Sequence, residues 1–309
     1  CTNNNLAPSS CSGLRYAPAA TAGRLMVSKS NLKVGSPHGG RSGEPKKNKR
    51  VCRFCSRDIR EGASFKNRAH VLPEAIGNKK IFSHEECDDC NQYFSSAIEQ
   101  DFSDHAVMWR VLKGVKGKRG IPSLISKGAG YSITNEDRGA IFKGPDGQPV
   151  SPLSIKTIPI CNERKINLTN VYRALVRAAI GIMPRSCLAN IAKTIEWVRY
   201  SSSFGDTMEL PPVAIGQSGR FCDQPVMTVY VNKVLDEQMP YIFADYFIGP
   251  FVFVIIIPSV NDQQDYFSCR DAYNHFWHNC KHYELFHGWE FLDWSADEKE
   301  DYNWTLKFN

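Results

Sequence analysis

Four cysteines, a histidine and an asparagine have the spacing most open to chemistry. Cys52 and Cys55 form one C-x-x-C, Cys87 and Cys90 form another, His70 lies between them, and Asn91 follows directly. Each C-x-x-C presents two thiolates from a tight turn, and four thiolates suit tetrahedral zinc. The stretch from Cys55 to Cys87 leaves room for a hairpin carrying His70. Structural zinc supplies roughly 10–16 kcal/mol in small modules, and few other forces could fix so short and polar a segment. A redox dithiol is disfavoured, since nothing thioredoxin-like surrounds either pair. Imidazole titrates near neutral pH and can take a proton from water.

Two stretches carry a resemblance. They are "FKNRAHVLPEAIGN" (65–78) and "ECDDCNQYFSSAIE" (86–99). Together with Cys52 and Cys55 they resemble the HNH, or ββα-metal, nuclease family in its zinc-stapled form. The layout is similar to that of phage resolvase-type endonucleases, over about residues 51–105. The family has a His before an Ile/Val/Leu-x-Pro turn, here Val71 and Pro73, with Gly77 beyond. The resemblance implies His70 as general base and Asn91 as ligand or orienter of a catalytic cation, Mg²⁺ or Mn²⁺. The four cysteines would hold structural Zn²⁺. It implies nucleic acid as partner, with DNA favoured.

One position departs from the pattern. Many family members carry Asp, Glu or His before the catalytic histidine, where it holds metal; this chain has Ala69. A subset of the family reads AHVxPE…GNK…ECDxCN…E, as here. Glu99 is the first candidate to replace the missing ligand, and Glu74, Asp88 and Asp89 are others. Glu99 lies eight residues after Asn91 and so on roughly the same helical face, though two turns rise about 12 Å. A shared first shell would need Asn91 at the helix cap, or a bridging water. A cap role is also the structural alternative for Asn91 itself. His84 and His105 flank the motif and read as ordinary surface residues.

The elements that must position these residues imply an α+β fold: an N-terminal ββα-metal zinc module, then a mixed α+β domain. Residues 1–50, rich in Ser, Gly, Asn, Pro and Lys, lack an apolar period and should be disordered. They end in the basic "PKKNKR", a solvated linker or an arm for phosphates. Residues 51–122 hold the zinc module and the loop "KGVKGKRGIP" (113–122), which is either an exposed turn or a phosphate contact. Residues 123–309 form the second domain. "KGPDGQPVSP" (143–152) reads as a hairpin tip or loop. "NLTNVYRALVRAAIGIM" (167–183) has helical periodicity, with Thr169 or Asn170 as cap and Pro184 as stop. "SCLANIAKTIEWVRY" (186–200) completes a helical hairpin, and both apolar faces read as packing. "PVAIG", "PVMTVYVN", "YIFADYFIG" and "FVFVIII" read as strands.

Composition sets looser bounds. The chain has 309 residues, a net charge of +6 and 11 cysteines. The charge permits nucleic acid without demanding it. Two close cysteine pairs plus seven scattered cysteines fit a reducing compartment, and cytoplasmic location is the expectation. No apolar run is long enough for a bilayer, so no membrane partner is expected. The chain begins with Cys1; a lipoprotein is one reading, and a start at Met26 with upstream sequence before it is the simpler one. "NHFWHNCKHYELFH" (274–287) has histidines at helical spacing, but without an acid partner they read as packed or surface residues.

The leading expectation is therefore a metal-dependent HNH endonuclease, with a second domain that selects substrate or responds to a signal. Family analogy extends this to bacterial defence or a mobile element. The alternatives are a zinc-stapled nucleic-acid-binding protein without catalysis, and a regulatory protein. A homodimer would help cut both strands, although no dimerisation motif shows.

Overall fold

In the computed structural model, the described residues are 50–307, except 118–119, 127, 129, 137–138, 152–156, 162–163, 202–209, 218–223, 233–238, 259–269, 281–282, 284–285 and 302. The basic N-terminal segment expected at 1–50 lies outside them, apart from Arg50. The zinc module runs from a knuckle at 52–56 to a two-residue strand, β1 (Ala69–His70), and its antiparallel partner β2 (Phe82–Ser83). Three short helices follow: α1 (Asp88–Ala97), α2 (Glu99–His105) and α3 (Val107–Lys113). A three-stranded meander, β3 (Leu124–Ile125), β4 (Ser132–Glu136) and β5 (Gly139–Lys143), packs on α3 through Leu124, Ile133, Met108 and Val111. Within "KGPDGQPVSP", residues 144–150 form a loop closed by Gly144 N–H to the Gln148 carbonyl at 2.8 Å.

Beyond it lie β6 (Thr157–Cys161), β7 (Ile166–Asn167) and the longest helix, α4 (Leu168–Ile182). Asn167, rather than Thr169 or Asn170, caps α4: its side chain accepts from the Asn170 amide at 2.9 Å. Thr169 instead turns its hydroxyl to the Trp294 carbonyl at 2.7 Å. The helical hairpin forms, but its second arm opens as a 3-10 turn (Arg185–Ile191) before α5 (Ala192–Tyr200).

The four strand-like runs are strands β8 (Val213–Gln217), β9 (Val226–Val231), β10 (Ile242–Ile248) and β11 (Phe251–Ile256). After α6 (Arg270–Asn279) comes β12 (His287–Leu292), which completes a five-stranded antiparallel sheet ordered β12-β8-β11-β10-β9. Strands β13 (Lys299–Glu300) and β14 (Asn303–Lys307) return to pair with β7 and β6. The class is α+β, with the zinc module followed by a sheet-rich region.

One hydrophobic core runs through both regions. It joins Val71, Leu72, Phe94 and Phe102 of the module to Leu175 and Ala178 of α4 and to Phe253 of the sheet. A second cluster fills the space between the sheet's other face and α6, with Phe243, Val254, Phe276 and Tyr283. Burial of this kind is worth about 25 cal/mol per Å² of apolar surface. Close approach is built in at two glycines. A Cβ on Gly181 would sit 3.3 Å from Val71, and one on Gly249, at φ +64°, would collide with the Trp109 ring. No helix among the described residues is long and apolar enough to cross a membrane.

Candidate nuclease site and zinc centre

The knuckle at 52–56 turns because Ser56 takes a left-handed φ of 59° and its amide returns to the Cys52 carbonyl at 3.0 Å. The second cysteine pair enters from α1, where Cys87 is the N-cap and Cys90 lies in the first turn. All four sulfurs lie within 4.8 Å of one another; Cys52–Cys90 is 3.7 Å and Cys55–Cys87 is 3.6 Å. Tetrahedral zinc at about 2.3 Å from each sulfur requires sulfurs about 3.8 Å apart, so this set fits. The Cys52 thiol is lowered to about 4, chiefly by its hydrogen bond with Cys90, while burial pushes Cys87 up to about 11 and the bond with Cys52 pushes Cys90 up. The Arg199 Nε of α5 donates to the Cys90 sulfur at 3.2 Å, an added favour to negative charge. Cys187 and Cys280 are buried free thiols elsewhere.

Strand β1 places His70. Its ring lies 4.6 Å from the Phe82 ring across the β1–β2 pair, and Arg68 stacks on the other ring partner, 4.5 Å from the Phe82 centroid. The imidazole Nδ1 makes no hydrogen bond among the described residues. Two side chains fix the hairpin. Asp88 accepts the amides of Lys66 (3.1 Å) and Asn67 (2.9 Å), holding the loop that leads into β1. Burial opposes its charge, but bonds from Ser64, Asn67 and Lys66 outweigh that and hold its carboxyl below the usual range. Asn78 is buried inside the connection between the strands. It donates to the Leu72 and Ile81 carbonyls (2.8 and 2.9 Å) and accepts the Lys80 and Ile81 amides (3.2 and 2.9 Å).

The departure at Ala69 has a structural explanation. Successive strand residues face opposite ways; His70 borders an open cleft, while Ala69 is 1% exposed and turned into the core. A carboxylate at 69 would be buried there without reaching the cleft.

His70, Asn91 and Glu99 line the same cleft, of about 1150 Å³. Asn91 is the fourth residue of α1, so the cap position belongs to Cys87 and the cap role for Asn91 is not realised. Nor do Asn91 and Glu99 share one continuous helix. The chain breaks at Ile98 (φ −128°, ψ −33°) and Glu99 opens α2. Of the other candidate acids, Glu74 also lines the cleft. Asp88 is engaged with the loop, and exposed Asp89 pairs with Arg57 at 2.6 Å. His84 is exposed as expected, but His105 is not a surface residue: it is fully buried between the rings of Phe253 and Trp294. The basic loop contributes Lys116, Gly117 and Gly120 to the cleft, while Lys118 and Arg119 are outside the described residues. In the second histidine cluster, His275 and His278 are exposed on α6, and His282 lies outside the described residues.

Behind the cleft stands a residue that local sequence patterns missed. Arg177 of α4 is 1% exposed and makes three long-range bonds. It donates to the Val71 carbonyl (3.1 Å), to Glu99 Oε1 (2.6 Å) and to Glu86 Oε1 (2.6 Å). It thus touches the residue after His70, a candidate metal ligand and the residue before Cys87. Burial pushes Glu86 up to about 7 and raises Glu99, with Arg177 working against both shifts. The apolar face of α4 packs into the core as its periodicity implied, and Arg177 adds a polar role to the same helix. Two arginines four apart, Arg173 and Arg177, in a largely apolar helix were the available signal, because a buried cation requires a buried partner.

Residues 52–107 match the family model described as HNH endonuclease. Comparison with curated proteins and with solved structures returned no match. The matched segment contains both cysteine pairs, the hairpin and the first two helices. The chain therefore carries an HNH endonuclease domain at residues 52–107.

Proposed function

We propose that this protein is a metal-dependent endonuclease that hydrolyses phosphodiester bonds in nucleic acid, with DNA the favoured substrate. One observation carries the reading. His70, Asn91 and Glu99, from three separate elements, border one cleft that also receives Arg68, Arg110, Lys116 and Arg164. Glu74, Glu99 and Asp104 line it too, which leaves a net positive charge of one, and cations of this kind are what contact a phosphate backbone.

In this mechanism His70 is the general base. It takes the proton from a water molecule as the water oxygen bonds to phosphorus and the bond to the leaving sugar oxygen breaks. Its Nδ1 is buried without a hydrogen-bond partner among the described residues, while the residue itself borders the cleft. Asn91 would ligate or orient the catalytic cation, and Glu99 would contribute Oε2, since Oε1 is shared with Arg177. Mg²⁺ or Mn²⁺ bound there would polarise the phosphoryl oxygen and stabilise the leaving alkoxide. Mg²⁺ keeps several waters, so one or two protein ligands can suffice. The cysteines hold structural zinc away from the reacting bond. We assign residues 51–122 to this module and its basic loop, and residues 123–309 to substrate selection or control. A role in bacterial defence or a mobile element, in the cytoplasm, extends this by family analogy alone.

A second reading, a zinc-stapled nucleic-acid binder without catalysis, draws on the alanine at 69 and the engagement of Glu99 by Arg177. Nicking of supercoiled plasmid with Mg²⁺ or Mn²⁺ separates the two. Wild type should nick, and His70→Ala should lose about 10²–10⁴ in rate, the usual contribution of a general base. Zinc-loaded wild type that retains plasmid in a gel shift yet never nicks it would favour the binding module.

A further inference from the structure

Resting on the nucleic-acid reading, we infer that Arg110, with Lys116 and Arg164, forms a subsite in this cleft that anchors a backbone phosphate of the polymer away from the scissile bond. Arg110 comes from α3 and Lys116 from the loop after it, while Arg164 precedes β7. Arg110 is half-buried and its Nε is buried without a hydrogen-bond partner. No carboxylate lies within 4.0 Å of its guanidinium among the described residues. By contrast, the guanidiniums of Arg53 and Arg177 are paired, with Glu85 and with Glu86 and Glu99. A half-desolvated cation without a counter-ion is costly unless an anion arrives.

The loop seats this cation. Gly117 and Gly120 exchange backbone bonds of 2.9 and 3.1 Å. A Cβ on Gly117 would lie 2.8 Å from Arg110 Nη2, so the guanidinium rests directly against the loop backbone at this glycine. One carboxylate opposes the cluster: Asp104 also lines the cleft, sits 3.9 Å from Arg164 and attracts Arg110 from farther away. Three cations against one anion still leave a positive site. A cleft of about 1150 Å³ exceeds the usual small-ligand range of about 300–1,000 Å³, which favours a polymer over a free phosphate.

The test is duplex binding by the zinc-loaded full chain, in the His70→Ala background with no divalent cation added, read by fluorescence anisotropy across salt concentrations. Each phosphate contact contributes about 0.9 to the slope of log K against log salt. Arg110→Met should weaken binding and make that slope shallower by about one, whereas Arg110→Lys should retain it. Asp104→Asn should tighten binding, an effect that damage to the fold would not produce. An unchanged slope in a folded Arg110→Met, or no tightening in Asp104→Asn, overturns the subsite while leaving the nuclease reading intact. Displacement of the duplex by millimolar inorganic phosphate would reassign the site to single phosphates and overturn the polymer assignment. Failure of the parent to bind duplex would defeat the nucleic-acid reading and the subsite together.

Discussion

Arg177 is where the chemistry and the architecture meet at residue scale. A buried arginine held by two carboxylates adds little net stability as a unit, but removing one member leaves uncompensated charge, at a cost of about 3–5 kcal/mol. Arg177→Met should therefore lower unfolding free energy by about that amount, measured in urea. Because the same guanidinium holds Glu99 and the carbonyl after His70, the surviving folded fraction should also need more Mn²⁺ to nick plasmid. The combined variant Glu86→Gln with Arg177→Met should recover part of the stability, since it no longer buries an unpaired carboxylate. A double-mutant cycle measures that recovery.

At the scale of elements, the hairpin that carries His70 is too short to hold itself. Two residue pairs define it, and Asn78 replaces the missing ladder with four side-chain bonds. Asn78→Ala should cost about 1–3 kcal/mol, because buried carbonyls lose their donors. Nicking should fall more than stability alone explains; thermal melting beside activity checks this. Local spacing was enough to read the cysteine pairs and the four strands of the large sheet, because turn chemistry and strand patterning act over a few residues. The same reading missed Asn78 as a clamp and Arg177 as a hub. Those roles depend on partners brought together by tertiary packing, and for Arg177 the partners lie 78 and 91 residues away. It also placed His105 on the surface: a histidine is polar in sequence, and its burial was decided by Phe253 and Trp294, far along the chain.

For the whole molecule, that histidine sets a pH response. Burial lowers His105 to about 3 from an ordinary 6.5. The folded state then binds fewer protons than the unfolded one between those values, so its contribution falls as pH drops from about 6.5 toward 3. The loss is at most about 1.4 kcal/mol per pH unit. Asp245, raised to about 6 chiefly by burial, acts in the opposite sense: its contribution grows as pH falls through 6. The difference between wild type and His105→Phe in urea midpoints from pH 7 to 4.5 isolates the histidine. The gap should widen toward acid in favour of the variant. Zinc removal acts on a different part of the same fold. A strong chelator should release zinc, which a colorimetric dye would quantify, with loss of the knuckle and of nicking. Cys90→Ser should reproduce both effects.

The shared core has a practical corollary for anyone borrowing this domain. The family match ends at 107, yet the arginine that holds Glu86 and Glu99 is supplied by α4, and Gly181 is shaped to receive Val71. A transplant cut at the family boundary would leave Glu86 and Glu99 without their arginine and expose Val71, Phe94 and Phe102 to water. The HNH domain is therefore not a portable cassette; to travel, it must take its supporting helix with it.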